Sequence, residues 1–156
     1  MCVIGGATDS PASGSLPVVL PEFSPSLSQR GSALHELIVE TDFAAAHRLR
    51  EHKGKCEALH GHNWKVQVRL RAHQLDPIGM VMDFKDVKAT LAAALDELDH
   101  HYLNDDVAIF KTVNPTTENI SKYLFVKLSA RLPEEVKVAE VTVWESDRCG
   151  ASYREE

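Results

Sequence analysis

Residues 43–70 read FAAAHRLREHKGKCEALHGHNWKVQVRL. Within them Trp64, Val66, Val68 and Leu70 alternate with Lys65, Gln67 and Arg69, a period of two that predicts a half-buried strand. Residues of one parity share a strand face, which puts His60 and His62 on the face that carries Trp64 and Val66. Upstream, Leu37, Val39, Thr41, Phe43 and Ala45 share a parity with His47. Three imidazoles therefore converge from the apolar faces of two strands, with Cys56 on the connection between them.

Three neutral imidazoles with one position left open recur in catalytic zinc sites, whereas structural sites fill all four corners with protein ligands. Imidazole also suits copper, iron and nickel, so zinc is the preferred ion rather than the one demanded. Two competing readings stand beside this one. The histidines can be unrelated core residues, or Cys56 can be a fourth ligand that closes a structural site.

At 156 residues the chain fits one domain able to bury a core without disulfides. Its net charge of -6 argues against nucleic acid as a general partner, which would need a basic footprint. An anionic small molecule is still compatible, because local fields outweigh the sum. Arg48, Arg50, Lys53 and Lys55 cluster in the loop that carries Cys56, as a phosphate site or a solvated turn would have them. Cys2, Cys56 and Cys149 form no disulfide framework, so a reducing, cytoplasmic setting is expected. Nothing has the length of a transmembrane helix, and Leu16 to Leu20 is too short for a signal-peptide core.

Residues 1–33 are rich in proline, glycine and serine and poor in charge. Such a segment cannot bury enough apolar area to offset its ordering entropy, and a disordered extension is expected there, with a single domain over 34–156. The domain begins with strands over Leu34–His47 and from His62 to about Ala72. A helix follows from Asp83 to near Asp99, with Phe84, Val87, Leu91, Leu95 and Leu98 on its apolar stripe. A second helix starts at Asn114-Pro115-Thr116 and stops at Pro133. Val136–Glu145 and Ala151–Tyr153 complete the strands. The order ββααββ predicts an α+β fold, a four-stranded antiparallel sheet with two helices on one face.

Two further features carry chemistry. Asp99-His100 places a carboxylate beside an imidazole, which holds the ring's tautomer and suits a general base or thiol activator; the alternative is a helix terminus with a solvated Asp99. Glu145 is a charge on the parity of Ala139, Val141 and Val143, so a partner is expected for it. Either a surface lysine or a ligand with adjacent N–H donors would serve.

The runs FAAAHRL, CxxxHGH, LDHHYLN, NPTTEN and VWE, in this order over about residues 35–154, resemble the 6-pyruvoyl-tetrahydropterin synthase superfamily. The three residues between Cys56 and His60 are similar to the bacterial 6-carboxytetrahydropterin synthases of the queuosine pathway. The resemblance implies a tunnelling fold whose sheets close into a barrel, assembled as a homohexamer of two trimers. It implies zinc bound by His47, His60 and His62, Cys56 as catalytic thiol with Asp99 and His100 as proton-handling partners, and Glu145 as the grip on the pterin. It further implies conversion of 7,8-dihydroneopterin triphosphate to 6-carboxy-5,6,7,8-tetrahydropterin, acetaldehyde and triphosphate. Other activities of the superfamily, pyruvoyl-tetrahydropterin formation or aldolase-type cleavage, remain alternatives, as does a zinc-stabilised binding module without catalysis.

Overall fold

The computed structural model describes residues 33–155, so the extension expected over 1–33 lies, Ala33 apart, outside the described residues. Strand β1 (His35–His47) pairs antiparallel with β2 (His60–Ala72) along its whole length, from His35 opposite Ala72 to His47 opposite His60. β3 (Lys137–Ser146) and β4 (Cys149–Tyr153) extend the sheet in the order β1-β2-β3-β4, every pair antiparallel. Strand β2 begins two residues earlier than the alternation predicts, so His60 is itself a ladder residue. The α+β architecture expected from the element order is the one observed.

One face of this sheet is covered by α1 (Phe84–Leu95) and α3 (Thr117–Ser129). Each starts at a capped turn: the Asp83 carboxylate accepts from Lys85 N–H at 2.7 Å, and the Thr116 hydroxyl oxygen from Asn119 N–H at 3.3 Å. Val87, Leu91 and Leu95 of α1 and Ile120, Leu124 and Leu128 of α3 are buried against Trp64, Val66, Val141 and Val143. Phe84, placed on the apolar stripe by spacing, is instead exposed at the helix start. The helix also stops four residues sooner than its pattern predicts, and a turn carries the chain through Asp99. The polar link that follows contains a single-turn helix α2 (Leu103–Asp106) and a 3-10 turn (Ala108–Lys111), both too short to leave a periodic signature.

Two irregularities in β3 matter for the site. Between Arg69 and Leu70 the register of β2 against β3 slips, so Val138 faces the core below the slip and Val141 and Val143 above it. Nearer the loop to β4, Trp144 pairs with Gly150 and Ser146 with Cys149, leaving Glu145 as the extra residue of a bulge. A bulge re-aims the side chain it carries.

Glu97, in the turn after α1, ties that turn to α3. Its carboxylate accepts from the Tyr123 hydroxyl, from Lys127 Nζ at 2.7 Å and from Arg131 Nη2 at 3.0 Å. The bond from Lys127, then that from Tyr123, holds the Glu97 carboxyl down from 4.5 to about 2. A carboxylate with a depressed folded-state pKa contributes stability above its unfolded value, and that stability is lost as pH falls toward the folded one. In thermal unfolding followed by circular dichroism, the melting temperature of the parent is expected to exceed that of Glu97→Gln above pH 4.5, and the gap to close as pH falls to about 2. A gap independent of pH would show that the carboxylate is merely solvated.

Candidate active site

The ladder between β1 and β2 sets His47 directly opposite His60 and Ala45 opposite His62, so the three imidazoles share one face. Their ring centroids lie 4.5 Å (His47 to His60), 5.2 Å (His47 to His62) and 4.8 Å (His60 to His62) apart. Trp64, fully buried, stands steeply inclined to the His47 ring at 4.9 Å and to the His62 ring at 5.2 Å, an apolar floor for the cluster. Burial on this floor disfavours the imidazolium form and lowers the pKa of both His47 and His62 below 6.5, against the nearby negative charge of Glu145. Neutral rings are the form that binds a metal.

Hydrogen bonding sorts the ring nitrogens. His47 Nδ1 lies 2.8 Å from the Pro115 carbonyl, and His60 Nδ1 lies 2.8 Å from the Ala58 carbonyl. A carbonyl oxygen can only accept, so each Nδ1 carries the proton and each Nε2 of the neutral ring keeps a bare lone pair. Those two Nε2 atoms stand 3.1 Å apart. Neither can donate to the other in this tautomer, and two lone pairs at that distance repel unless a cation lies between them. Carbonyls gripping the far nitrogen of an imidazole are also the usual outer support of a metal ligand.

Glu145 completes the group. Its bulge turns the carboxylate toward His62, with Oε1 3.2 Å from Nε2, while Oε2 accepts from the Thr117 hydroxyl at 3.3 Å. The His62–Glu145 approach is within ion-pair range but off the line of a hydrogen bond, so among the described residues the buried His62 Nε2 has no hydrogen-bond partner. One donor atom from each of His47, His60, His62 and Glu145 lies within 4.8 Å of the other three. A tetrahedral ion with bonds of about 2.0–2.1 Å needs donors roughly 3.3 Å apart, close to the two short distances above. The residues therefore fit a divalent ion. The corner that spacing leaves open is approached by Glu145, and the partner expected for this charge is His62 rather than a lysine.

Cys56 lies in a 3-10 turn (Lys55–Glu57) as a free, half-buried thiol and is not in the four-donor group. Asp99 and His100 lie against the outer edge of β1. Asp99 Oδ1 accepts from Ala44 N–H at 2.8 Å, Oδ2 from His100 Nδ1 at 2.8 Å, and His100 N–H donates to Ala44 O at 2.6 Å. The bond from Ala44, ahead of that from His100, lowers the Asp99 pKa. His100 adopts a left-handed backbone, φ 59°, as the chain doubles back beside the strand. An open cleft of about 510 Å³ lies here, lined by Ala44, Ala46, Gly61, His62, His100 and Tyr102 among others. His62 and His100 thus share a cleft, and Cys56 is not one of its walls. Arg50, counted above in a basic cluster, turns inward to the carbonyls of Phe110 and Val113. The Pro115 carbonyl was not legible as a support for His47, because the Asn-Pro-Thr run signals only a helix start.

Residues 36–156 match the family model described as 6-pyruvoyl tetrahydropterin synthase. The chain belongs to this family. A 6-carboxy-5,6,7,8-tetrahydropterin synthase of Synechocystis is 42% identical over 94 residues, 57% of this chain and 70% of that protein. A putative 6-pyruvoyl tetrahydrobiopterin synthase of Caenorhabditis elegans is 36% identical over 125 residues, 72% of this chain and 89% of that one. The solved structure of the Caenorhabditis elegans 6-pyruvoyl tetrahydropterin synthase superposes with a TM-score of 0.72 at 32% identity, covering 82% of this chain and all of that one. The four-stranded sheet with its helices is the fold of these pterin synthases.

A divalent ion held by this group would bind with a testable pH dependence. Protons compete with metal for His47 and His62 only as pH falls below 6.5, where depressed imidazoles begin to charge. One equivalent of Co(II) or Zn(II) is expected to raise the melting temperature at about pH 7.5, with the gain shrinking steadily below pH 6.5 and absent in His62→Ala. A gain that persists in His62→Ala would place the ion elsewhere.

Proposed function

We propose that this chain is a zinc-dependent 6-carboxytetrahydropterin synthase, a carbon–carbon lyase. Its reaction converts 7,8-dihydroneopterin triphosphate and one water to 6-carboxy-5,6,7,8-tetrahydropterin, acetaldehyde and triphosphate, in 7-deazapurine biosynthesis of the queuosine type. The observation that carries this reading is the set of imidazole Nε2 atoms converging without Cys56, which leaves a thiol for chemistry instead of ligation. The Cys56-x-x-x-His60 spacing and the Synechocystis relative, a 6-carboxy-5,6,7,8-tetrahydropterin synthase, support the choice of product.

In this mechanism His47, His60 and His62 hold the ion, which when bound supplies Lewis acidity toward the substrate's side-chain hydroxyls. Cys56, as thiolate, takes the proton from the side-chain carbon next to the ring. Asp99 fixes His100 by accepting from its Nδ1–H, which leaves His100 Nε2 to receive and return protons during side-chain cleavage. Glu145 swings from His62 to accept two N–H groups from the amino-pyrimidine edge of the pterin, as a carboxylate accepts from a guanidinium. His47, His60 and His62 would still hold the ion without it.

A homohexamer built as a dimer of trimers belongs to the same proposal, in a cytoplasmic setting. Its support is the pair of free edges: β4, and β1 between Glu36 and Asp42, where among the described residues no backbone bond reaches the outer side. No described helix is long and apolar enough to cross a membrane.

Formation of a pyruvoyl product is the second reading, favoured by the Caenorhabditis elegans relative and structure. Incubation with 7,8-dihydroneopterin triphosphate and mass spectrometry of the pterin decides: the carboxy product with acetaldehyde is expected, and a pyruvoyl product would overturn the assignment. Cys56→Ala is expected to lose roughly 10²–10⁴ in turnover while keeping its zinc. Glu145→Ala is expected to weaken pterin binding in calorimetry, and unchanged affinity would remove its role as anchor.

A further inference from the structure

Strand β1 ends at His47, but Arg48, Leu49 and Arg50 beyond it still have bonded backbone groups. Leu49 N–H donates to Cys56 O at 2.8 Å on the side where β2 would lie, which closes the loop that carries the thiol. On the other side two asparagine side chains take the place of a strand. Asn104 accepts from Arg48 N–H at 2.9 Å through Oδ1 and donates to Arg48 O at 3.0 Å through Nδ2. Asn114 makes the same pair with Arg50, at 2.9 and 3.0 Å. Arg48 and Arg50 are two apart, so both present N–H and C=O to the same edge, as successive pairs in an antiparallel ladder do. Asn104 is almost fully buried, so its two bonds have little water to compete with them.

These clamps prolong a row that begins inside the strand. Ala44 is bonded by Asp99 and His100, Ala46 N–H donates to the His101 carbonyl, and Arg48 and Arg50 follow. One segment, residues 99–114, therefore satisfies the outer edge from Ala44 to Arg50. Immediately beyond, Glu51 takes a left-handed backbone, φ 64°, and the chain turns away. Asn114 also precedes the proline whose carbonyl holds His47 Nδ1, so a single Asn-Pro pair steers both an imidazole and the start of the thiol loop.

We infer that Asn104 and Asn114 are positioning residues, their carboxamides acting as surrogate strand pairs that hold Arg48–Arg50 and thereby set the loop bearing Cys56 relative to the histidine cluster. The inference rests on the reading of Cys56 as the reacting thiol. Neither asparagine touches the reacting atoms. Removing either clamp frees the loop without removing a ligand or an acid–base group.

The test uses the full zinc-loaded protein and the series Asn114→Asp, Asn114→Ala and Asn104→Ala. Aspartate keeps the acceptor for Arg50 N–H but loses the donor to Arg50 O, so it should fall between asparagine and alanine. The expected result is kcat lowered by roughly tenfold to a hundredfold in the alanine variants, with KM within about twofold and zinc content unchanged. Alkylation of Cys56 by iodoacetamide, followed by peptide mass spectrometry across pH, should quicken in the same order. Unchanged alkylation together with kcat within about twofold of the parent would overturn the inference. If Asn104→Ala does not fold, hydrogen exchange in the unmodified protein still decides. The Arg48 and Arg50 amides should be protected relative to His52 and Lys53, and equal exchange would contradict the clamp. Failure of the parent to turn over the pterin would defeat the proposed function alone, because alkylation and exchange need no substrate.

Discussion

The site depends on two imidazole lone pairs held face to face. His47 and His60 are cross-strand partners, and each has its Nδ1–H committed to a carbonyl, so their Nε2 atoms meet at 3.1 Å with nothing to donate. Within the folded chain that arrangement is a cost, borne because β1 and β2 pair along their whole length and because Trp64 packs beneath. A divalent ion held between them would turn the cost into a binding energy. Helices α1 and α3 matter to function chiefly by burying the sheet face that makes this geometry rigid.

The histidine cluster was legible because the period of a strand is an integer. Parity alone puts His47, His60 and His62 on the Trp64 face, and a one-residue error would have sent all three to the other side. Glu145 stood out for a related reason, as a charge among apolar neighbours of one parity. Its true position depends on two breaks in that parity, the register slip near Arg69 and the bulge at Glu145 itself, and neither leaves a mark in composition. The outcome agreed with simple alternation above the slip and not below it, where Val138 rather than Ala139 is buried.

What the sequence hid is the backbone bookkeeping of the outer edge of β1. Spacing carries α1 to Asp99, yet the helix stops at Leu95 and the freed turn gives its groups to Ala44 and Ala46. Asn104 and Asn114 look like ordinary turn and cap residues until their partners at Arg48 and Arg50 are seen. Arg50 looks like a phosphate ligand until its guanidinium is found on two carbonyls. In each case the partner is more than fifty residues away, beyond any local pattern.

X-ray absorption at the zinc edge of the loaded protein addresses the central claim directly, because nitrogen or oxygen and sulfur scatter at separable distances. The expected spectrum has a shell of nitrogen and oxygen at about 2.0–2.1 Å, three of the scatterers being imidazoles, with no sulfur. A scatterer at about 2.3 Å, the distance of a zinc–thiolate bond, would make Cys56 a ligand and contradict it.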